Sequence, residues 1–176
     1  VTVGGVEASA ETVKDGSYVL SRPFNIVTKG DATDPVAVDF IAYVLSKDGQ
    51  AIATDNGYIG EDGADFTSAQ PEGKIVVGGS SSVSPVMVKL IEAYKAVNAN
   101  ADIELLTSDS TTGMTSAIEG TYDIGMASRE LSEEETSQGL KSQVIALDGI
   151  AVIVNNENTE EDLSKDQVKS IFTGET

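Results

Sequence analysis

The stretch KIVVGGSSSVSPVMVKLIEAYKAV, residues 74–97, decides the fold class. KIVVG, residues 74–78, predicts a strand, and Pro85 to Val97 predicts a helix with Met87, Leu90, Ile91 and Tyr94 on one face. Between them lie Gly78 and Gly79, then Ser80, Ser81 and Ser82, with Ser84 following Val83. A hydroxyl-rich turn that ends a strand and opens a helix has two readings. It is a plain helix cap, for which serine is favoured. Or it is an anion cradle, in which unpaired helix N–H groups, hydroxyls and glycines that admit close backbone approach hold a small ligand.

The pattern recurs downstream. DIELLT (102–107) predicts a strand, and the turn SDSTTG (108–113) leads into a helix over Thr112–Ile118. YDIGMAS (122–128) predicts a strand, followed by ASREL (127–131) and the helical SEEETSQ (132–138), whose acids sit near its start where the helix dipole favours them. QVIALDGIAVIVN (143–155) reads as a strand pair or bent strand, and SKDQVKSIF (164–172) as a helix capped by Ser164. Regular alternation of apolar strands and helices argues for an α/β fold with a mostly parallel central sheet flanked by helices. Parallel strands place all three turns on one edge, at the carboxyl ends where open α/β sheets bind ligands. Arg129 lies in the third turn, and its bland reading is a surface salt bridge with Glu130, Glu133 or Glu134.

Upstream, Ser9 predicts the cap of a short helix ended by Gly16, and SYVLSRPFNIV (17–27) alternates as a half-buried strand does. Pro23 within it implies a sheet edge or a bulge. Asp34 and Pro35 open a helical stretch that runs to Gly57, with a break expected near Asp48–Gly49. GEDGADFTSAQPEG (60–73) has linker composition.

Composition narrows the chemistry. The chain has 176 residues, enough for one good core, and no cysteine or histidine. Disulfides, thiolate sites and Ser-His-Asp or cysteine catalysis are excluded, and zinc chemistry is disfavoured. A net charge of −18 opposes nucleic acid and anionic lipid, so an anionic ligand needs local dipoles. An enzyme would have to use runs such as Glu133–Glu135 or Glu160–Asp162, which read as solvated surface. No cofactor or metal is expected.

Four segments carry a family resemblance: GSSSVSPVM (79–87), STTGMTSAIEGTYDIGMASREL (110–131), IALDGIAVIVNNEN (145–158) and LSKDQVKSIFTGE (163–175). In that order they resemble the start of the phosphate-binding protein of bacterial ABC importers, a type II periplasmic solute-binding protein. Residues 6–30 and 40–59 resemble the same family's C-terminal end. The order here is therefore tail first, head second. The resemblance implies a single lobe built from 1–59, the linker 60–73 and 74–176, with hinge crossings at the chain ends and the second lobe absent. About 14 linker residues reach roughly 45 Å when extended, enough to join the family's termini. Either a junction of tandem repeats, the favoured origin, or a circular permutation gives this order.

The resemblance further implies phosphate bound without metal by Ser82 (hydroxyl and N–H), Val83 (N–H) and neighbouring Ser81 in the first turn. Ser110 and Thr111 serve in the second turn, and Ser128 and Arg129 in the third. Asp109 departs from the family's glycine, and its carboxylate opposes an anion. The expectation is a non-enzymatic module for phosphate uptake or sensing that holds half a site, with affinity no better than about millimolar in isolation. Its implied partners are inorganic phosphate, the second lobe or a neighbouring repeat, an ABC permease, and a second copy through the exposed lobe face. Its implied setting is extracytoplasmic, anchored to a membrane through other parts of a longer protein. The alternative is a structural or interaction domain derived from solute-binding repeats in which anion binding is lost.

Overall fold

A computed structural model describes residues 1–175. In chain order it forms β1 (Thr2–Val3), α1 (Ala10–Lys14), β2 (Ser21–Lys29), α2 (Pro35–Val44), α3 (Lys47–Asp55), β3 (Gly73–Ser80), α4 (Ser84–Val97), β4 (Ala101–Ser108), α5 (Ser110–Glu119), β5 (Ile124–Ala127), α6 (Glu133–Ser137), β6 (Leu140–Gly149), β7 (Asp162–Leu163) and α7 (Lys165–Thr173). The chain divides into two compact units, Pro23–Ala146 and Val1–Arg22 with Leu147–Thr176. This division cuts segments 1–59 and 74–176 and leaves 60–73 whole. The chain passes between these units at Arg22–Pro23 and Ala146–Leu147. The physical reason is that segments 1–22 and 147–175 bond to each other: Thr2 pairs with Asp162 and Val3 with Leu163, and the Tyr18 hydroxyl donates to the Ile150 carbonyl at 2.8 Å.

In the Pro23–Ala146 unit the sheet order is β4-β3-β5-β2-β6. β3 pairs in parallel with β4 from Gly73↔Ala101 to Ser80↔Ser108, and with β5 through Val77↔Ile124 to Gly79↔Met126. The carboxyl ends of these three strands therefore share one edge. β2 runs antiparallel to β5, with Asn25 opposite Ala127. β2 is thus interior, and Pro23 marks no edge: it lies ahead of the paired stretch Asn25–Val27, where its missing N–H breaks no β5 bond.

Helices cover the sheet as their periodicity requires. The face of α4 formed by Met87, Leu90, Ile91 and Tyr94 is buried against Val77, Ile75 and the α2 residues Phe40 and Tyr43. Phe40 meets Tyr94 edge-on at 5.2 Å, a favoured aromatic geometry. The break between α2 and α3 falls at Leu45–Ser46, upstream of Asp48–Gly49, because the Ser46 hydroxyl accepts from the Gly49 N–H and caps the new helix. Gly49 does not end a helix. It lets α3 sit on the carbonyls of Tyr43 and Val44, which a Cβ would strike.

The 60–73 segment is extended but firmly held. The Lys47 N–H donates to Ala64, and the Glu61 N–H to the Gln50 side chain at 2.6 Å. The Phe66 ring packs edge-on against Tyr43 at 5.4 Å. Buried Asp39 on α2 accepts from the Ser68 hydroxyl at 2.6 Å, the Ala69 N–H at 3.0 Å and the Tyr94 hydroxyl at 2.7 Å. Burial pushes the Tyr94 phenol up to about 12. Asn98 completes the node by donating to Pro71 and Tyr94.

The other unit is a thinner assembly. Here β1 pairs in parallel with β7, Arg22 meets Asp148 at 2.9 Å, and α7 is capped by Ser164. The apolar stretch 151–155, expected as strand, forms none. Ile153 is 88% exposed and Phe172 82%, and a groove of about 490 Å³ runs between Val19, Ile150, Val152, Val168 and Phe172.

Candidate functional site

The turn after β3 is not a capped helix start. The cap position of α4 is Val83, and no side chain there caps the helix. Ser84 is buried and engaged, bonding the Ser80 carbonyl at 3.2 Å and the Thr107 hydroxyl at 2.9 Å. Ser81 is exposed and Ser82 half-buried, and the Ser81 N–H donates to the Ser108 carbonyl at 3.0 Å, tying the first turn to the second. The Val83 N–H expected to face a ligand instead donates to the Ser80 carbonyl at 3.1 Å, closing the turn, while the Val83 side chain is fully buried. Gly78 and Gly79 also differ from expectation. Their close approach is to protein: a Cβ on Gly78 would enter the Tyr122 ring, and one on Gly79 would strike the Met126 carbonyl and lie 3.0 Å from Gly113 Cα. They seat α5 and β5 against β3.

The second turn is capped, and by Asp109. Its carboxylate accepts from the Thr112 N–H at 2.9 Å and the Thr112 hydroxyl at 2.7 Å. These bonds, the hydroxyl first, hold its carboxyl below the usual range. The charge that opposes an anion is therefore spent in part on the helix N-terminus. Ser110 turns toward the third strand end, where its hydroxyl accepts from the Ser128 N–H at 3.1 Å and lies 3.4 Å from the Ser128 hydroxyl.

In the third turn Arg129 forms a two-pronged pair with Glu135, at 2.9 and 2.8 Å. The partner is this acid and not the side chains of Glu130, Glu133 or Glu134, because the Ser132–Glu135 capping box folds the Glu135 carboxylate back over the helix start. The arginine bonds hold the Glu135 carboxyl down at about 2 and raise the guanidinium further. One guanidinium nitrogen also stands 3.5 Å from the Thr111 hydroxyl. Ser110, Thr111, Ser128 and Arg129 thus form one polar cluster, joined to the first turn through Ser81 and Ser108. Sequence reasoning missed two supporting groups. Glu135 was legible as the third residue after a serine cap. Asn25 lies inside an apolar strand run, and its buried amide donates to the Arg129 carbonyl at 2.9 Å.

Three strand ends bearing hydroxyls thus lie beside helix N-termini on one sheet edge, and the PBP superfamily domain matches residues 64–176. The chain belongs to this superfamily, among the phosphate ABC transporter binding proteins. It is 56% identical over 175 residues to phosphate-binding protein PstS 2 of Streptococcus agalactiae serotype V, covering 99% of this chain and 60% of that protein. The chain therefore spans about three fifths of that relative's length. The crystal structure of a phosphate ABC transporter phosphate-binding protein from Streptococcus pneumoniae TIGR4 superposes on all of this chain and 68% of its own, with 43% identity and a TM-score of 0.91. A Clostridium perfringens protein assigned to phosphate ABC transport, solved with bound phosphate, covers 59% of this chain and 43% of its own at 42% identity and a TM-score of 0.52.

Proposed function

We propose that this chain carries one wall of a phosphate site in a non-enzymatic solute-binding protein of an ABC uptake or sensing system. The observation that carries this reading is the cluster of Ser110, Thr111, Ser128 and Arg129, joined to the uncapped Ser81–Ser82 turn on the edge of three parallel strands. Hydroxyls, helix-start amides and one guanidinium suit a tetrahedral oxyanion. Ser81, Ser82, Ser110, Thr111, Ser128 and Arg129 are the proposed ligands; Val83 shapes the turn through its burial. Arg129 arrives already paired with Glu135, so it contributes directed N–H groups more than net charge. The relatives' transport names support an ABC permease as partner and an extracytoplasmic setting. No helix among the described residues is long and apolar enough to cross a membrane.

The Pro23–Ala146 unit is the proposed lobe one, and the other unit the beginning of a second lobe. Its uncovered groove and Phe172 then await the part of the relatives that this chain lacks. The tail-before-head order reads best as a permutation inherited whole. The S. agalactiae match runs through 99% of the chain, while the C. perfringens structure covers 59%, the share that residues 74–176 make up. The buried Asp39–Tyr94–Ser68 node supports this, since a spacer between independent repeats needs no such anchoring.

The test is a titration of the isotopically labelled chain with inorganic phosphate at fixed ionic strength, sulfate serving as control, followed by NMR. Shifts centred on Ser82, Ser110, Ser128 and Arg129, saturating near millimolar phosphate, are expected. Equal response to sulfate, or none at all, would favour an interaction domain that has lost its ligand.

A further inference from the structure

We infer that Asn25 is a positioning residue for the anion site: it holds the Ser128–Arg129 turn in place without touching ligand. The inference rests on the phosphate reading of that site. Asn25 is fully buried in β2, between Phe24 and Ile26, in a strand interior where an apolar side chain would be ordinary. Its amide nitrogen donates to the Arg129 carbonyl at 2.9 Å. Its Oδ1 is buried without a hydrogen-bond partner among the described residues. A buried acceptor left unpaired is costly, and an apolar residue of similar shape at such a place is often neutral or stabilising. Core packing alone therefore gives no reason for asparagine here. The reason lies at the other end of the amide. Asn25 faces Ala127 across the antiparallel pair, so its side chain reaches just past the end of β5. There it fixes the carbonyl of the residue that carries the guanidinium, one residue beyond Ser128. Ser110 holds the same turn from α5 through the Ser128 N–H, and Glu135 holds the guanidinium itself. Asn25 is the strap that comes from the 1–59 segment. That segment supplies no proposed ligand, yet it would set where two of them stand.

The position has a distinctive signature: local order and binding should fall while global stability does not. The experiment compares the chain with Asn25→Leu, and with Asn25→Thr as a strand-compatible second variant should leucine fail to fold. Melting temperature, amide exchange at Ser128 and Arg129, and phosphate affinity by NMR are read on each. Expected are an unchanged or raised melting temperature, at least tenfold faster exchange at Ser128, and a roughly tenfold weaker phosphate affinity. In an Arg129→Ala background the Asn25 substitution should lose most of its effect on affinity, because the two act through one turn. Unchanged Ser128 exchange and unchanged affinity in both variants would overturn the inference and leave Asn25 a core residue. If the parent chain shows no phosphate response but Ser128 exchange still accelerates, the positioning role stands and the phosphate reading fails.

Discussion

The N-termini of α4 and α5 lie side by side on one sheet edge and are finished in opposite ways. α5 is closed by Asp109, which spends both carboxylate oxygens on Thr112. α4 follows several serines, yet none of them caps it. Residue type alone ranks serine and aspartate as about equal caps, so it does not tell the two turns apart. The difference lies in what each turn must do for the sheet. Ser84 is drawn inward to Thr107, Ser81 is tied to Ser108, and Val83 is buried as a plug, so the first turn closes through backbone and core. Its outer hydroxyls are left for solvent or ligand.

Gly79→Ala would break this comparison at its root, since α5 is seated on β3 through the close approach of Gly113 to Gly79. A Cβ there meets the Met126 carbonyl at a backbone angle, φ +133°, that L residues rarely adopt. A loss of about 3 kcal/mol is expected, roughly a 10 °C fall in melting temperature, read by calorimetry. Asp109→Ala sharpens the contrast from the capped side. It should lower stability in a denaturant titration, because the α5 cap is lost, and strengthen phosphate binding by removing a nearby negative charge. A loss of affinity would mean that the cap shapes the site more than its charge opposes it.

Ser82→Ala probes the uncapped side. Stability should stay within about 0.5 kcal/mol, because no cap is lost, while the phosphate response weakens. A clear drop in melting temperature would restore Ser82 to a capping role. The smallest effect concerns Glu135. Its carboxyl is held down at about 2, so its pairing stabilises the fold fully above the ordinary carboxylate range near 4.5. That contribution is lost as pH falls from there toward 2. It should be slight, because Arg129 is 39% exposed and water screens the pair. Glu135→Gln should flatten the acid limb of a melting-temperature profile, and an unchanged limb would assign acid sensitivity elsewhere.

Much of the architecture was legible because it is local. Asp34–Pro35, Ser9 and Ser164 announced helix starts, and the Met87, Leu90, Ile91 and Tyr94 stripe announced a buried face. Errors arose where distant residues decided the outcome. Pro23 suggested an edge or a bulge, and of these the edge fails because β6 lies on the other side of β2. Gly49 suggested a break, but it serves the approach of α3 to α2. The linker composition of 60–73 gave no hint of its anchoring, which Asp39, Gln50 and Asn98 supply from distant elements.

The chain by itself determined an α/β fold, three hydroxyl-bearing strand ends on one edge, a family and an acidic surface, since periodicity, turn chemistry and charge are properties of neighbouring residues. Only the tertiary structure decided which helix start is capped, that Arg129 is paired with Glu135, that Val83 turns inward, that Asn25 reaches the third turn and that the chain forms two units. Each depends on groups far apart in sequence competing for the same hydrogen bonds and buried space, and that competition is resolved only when the strands are side by side.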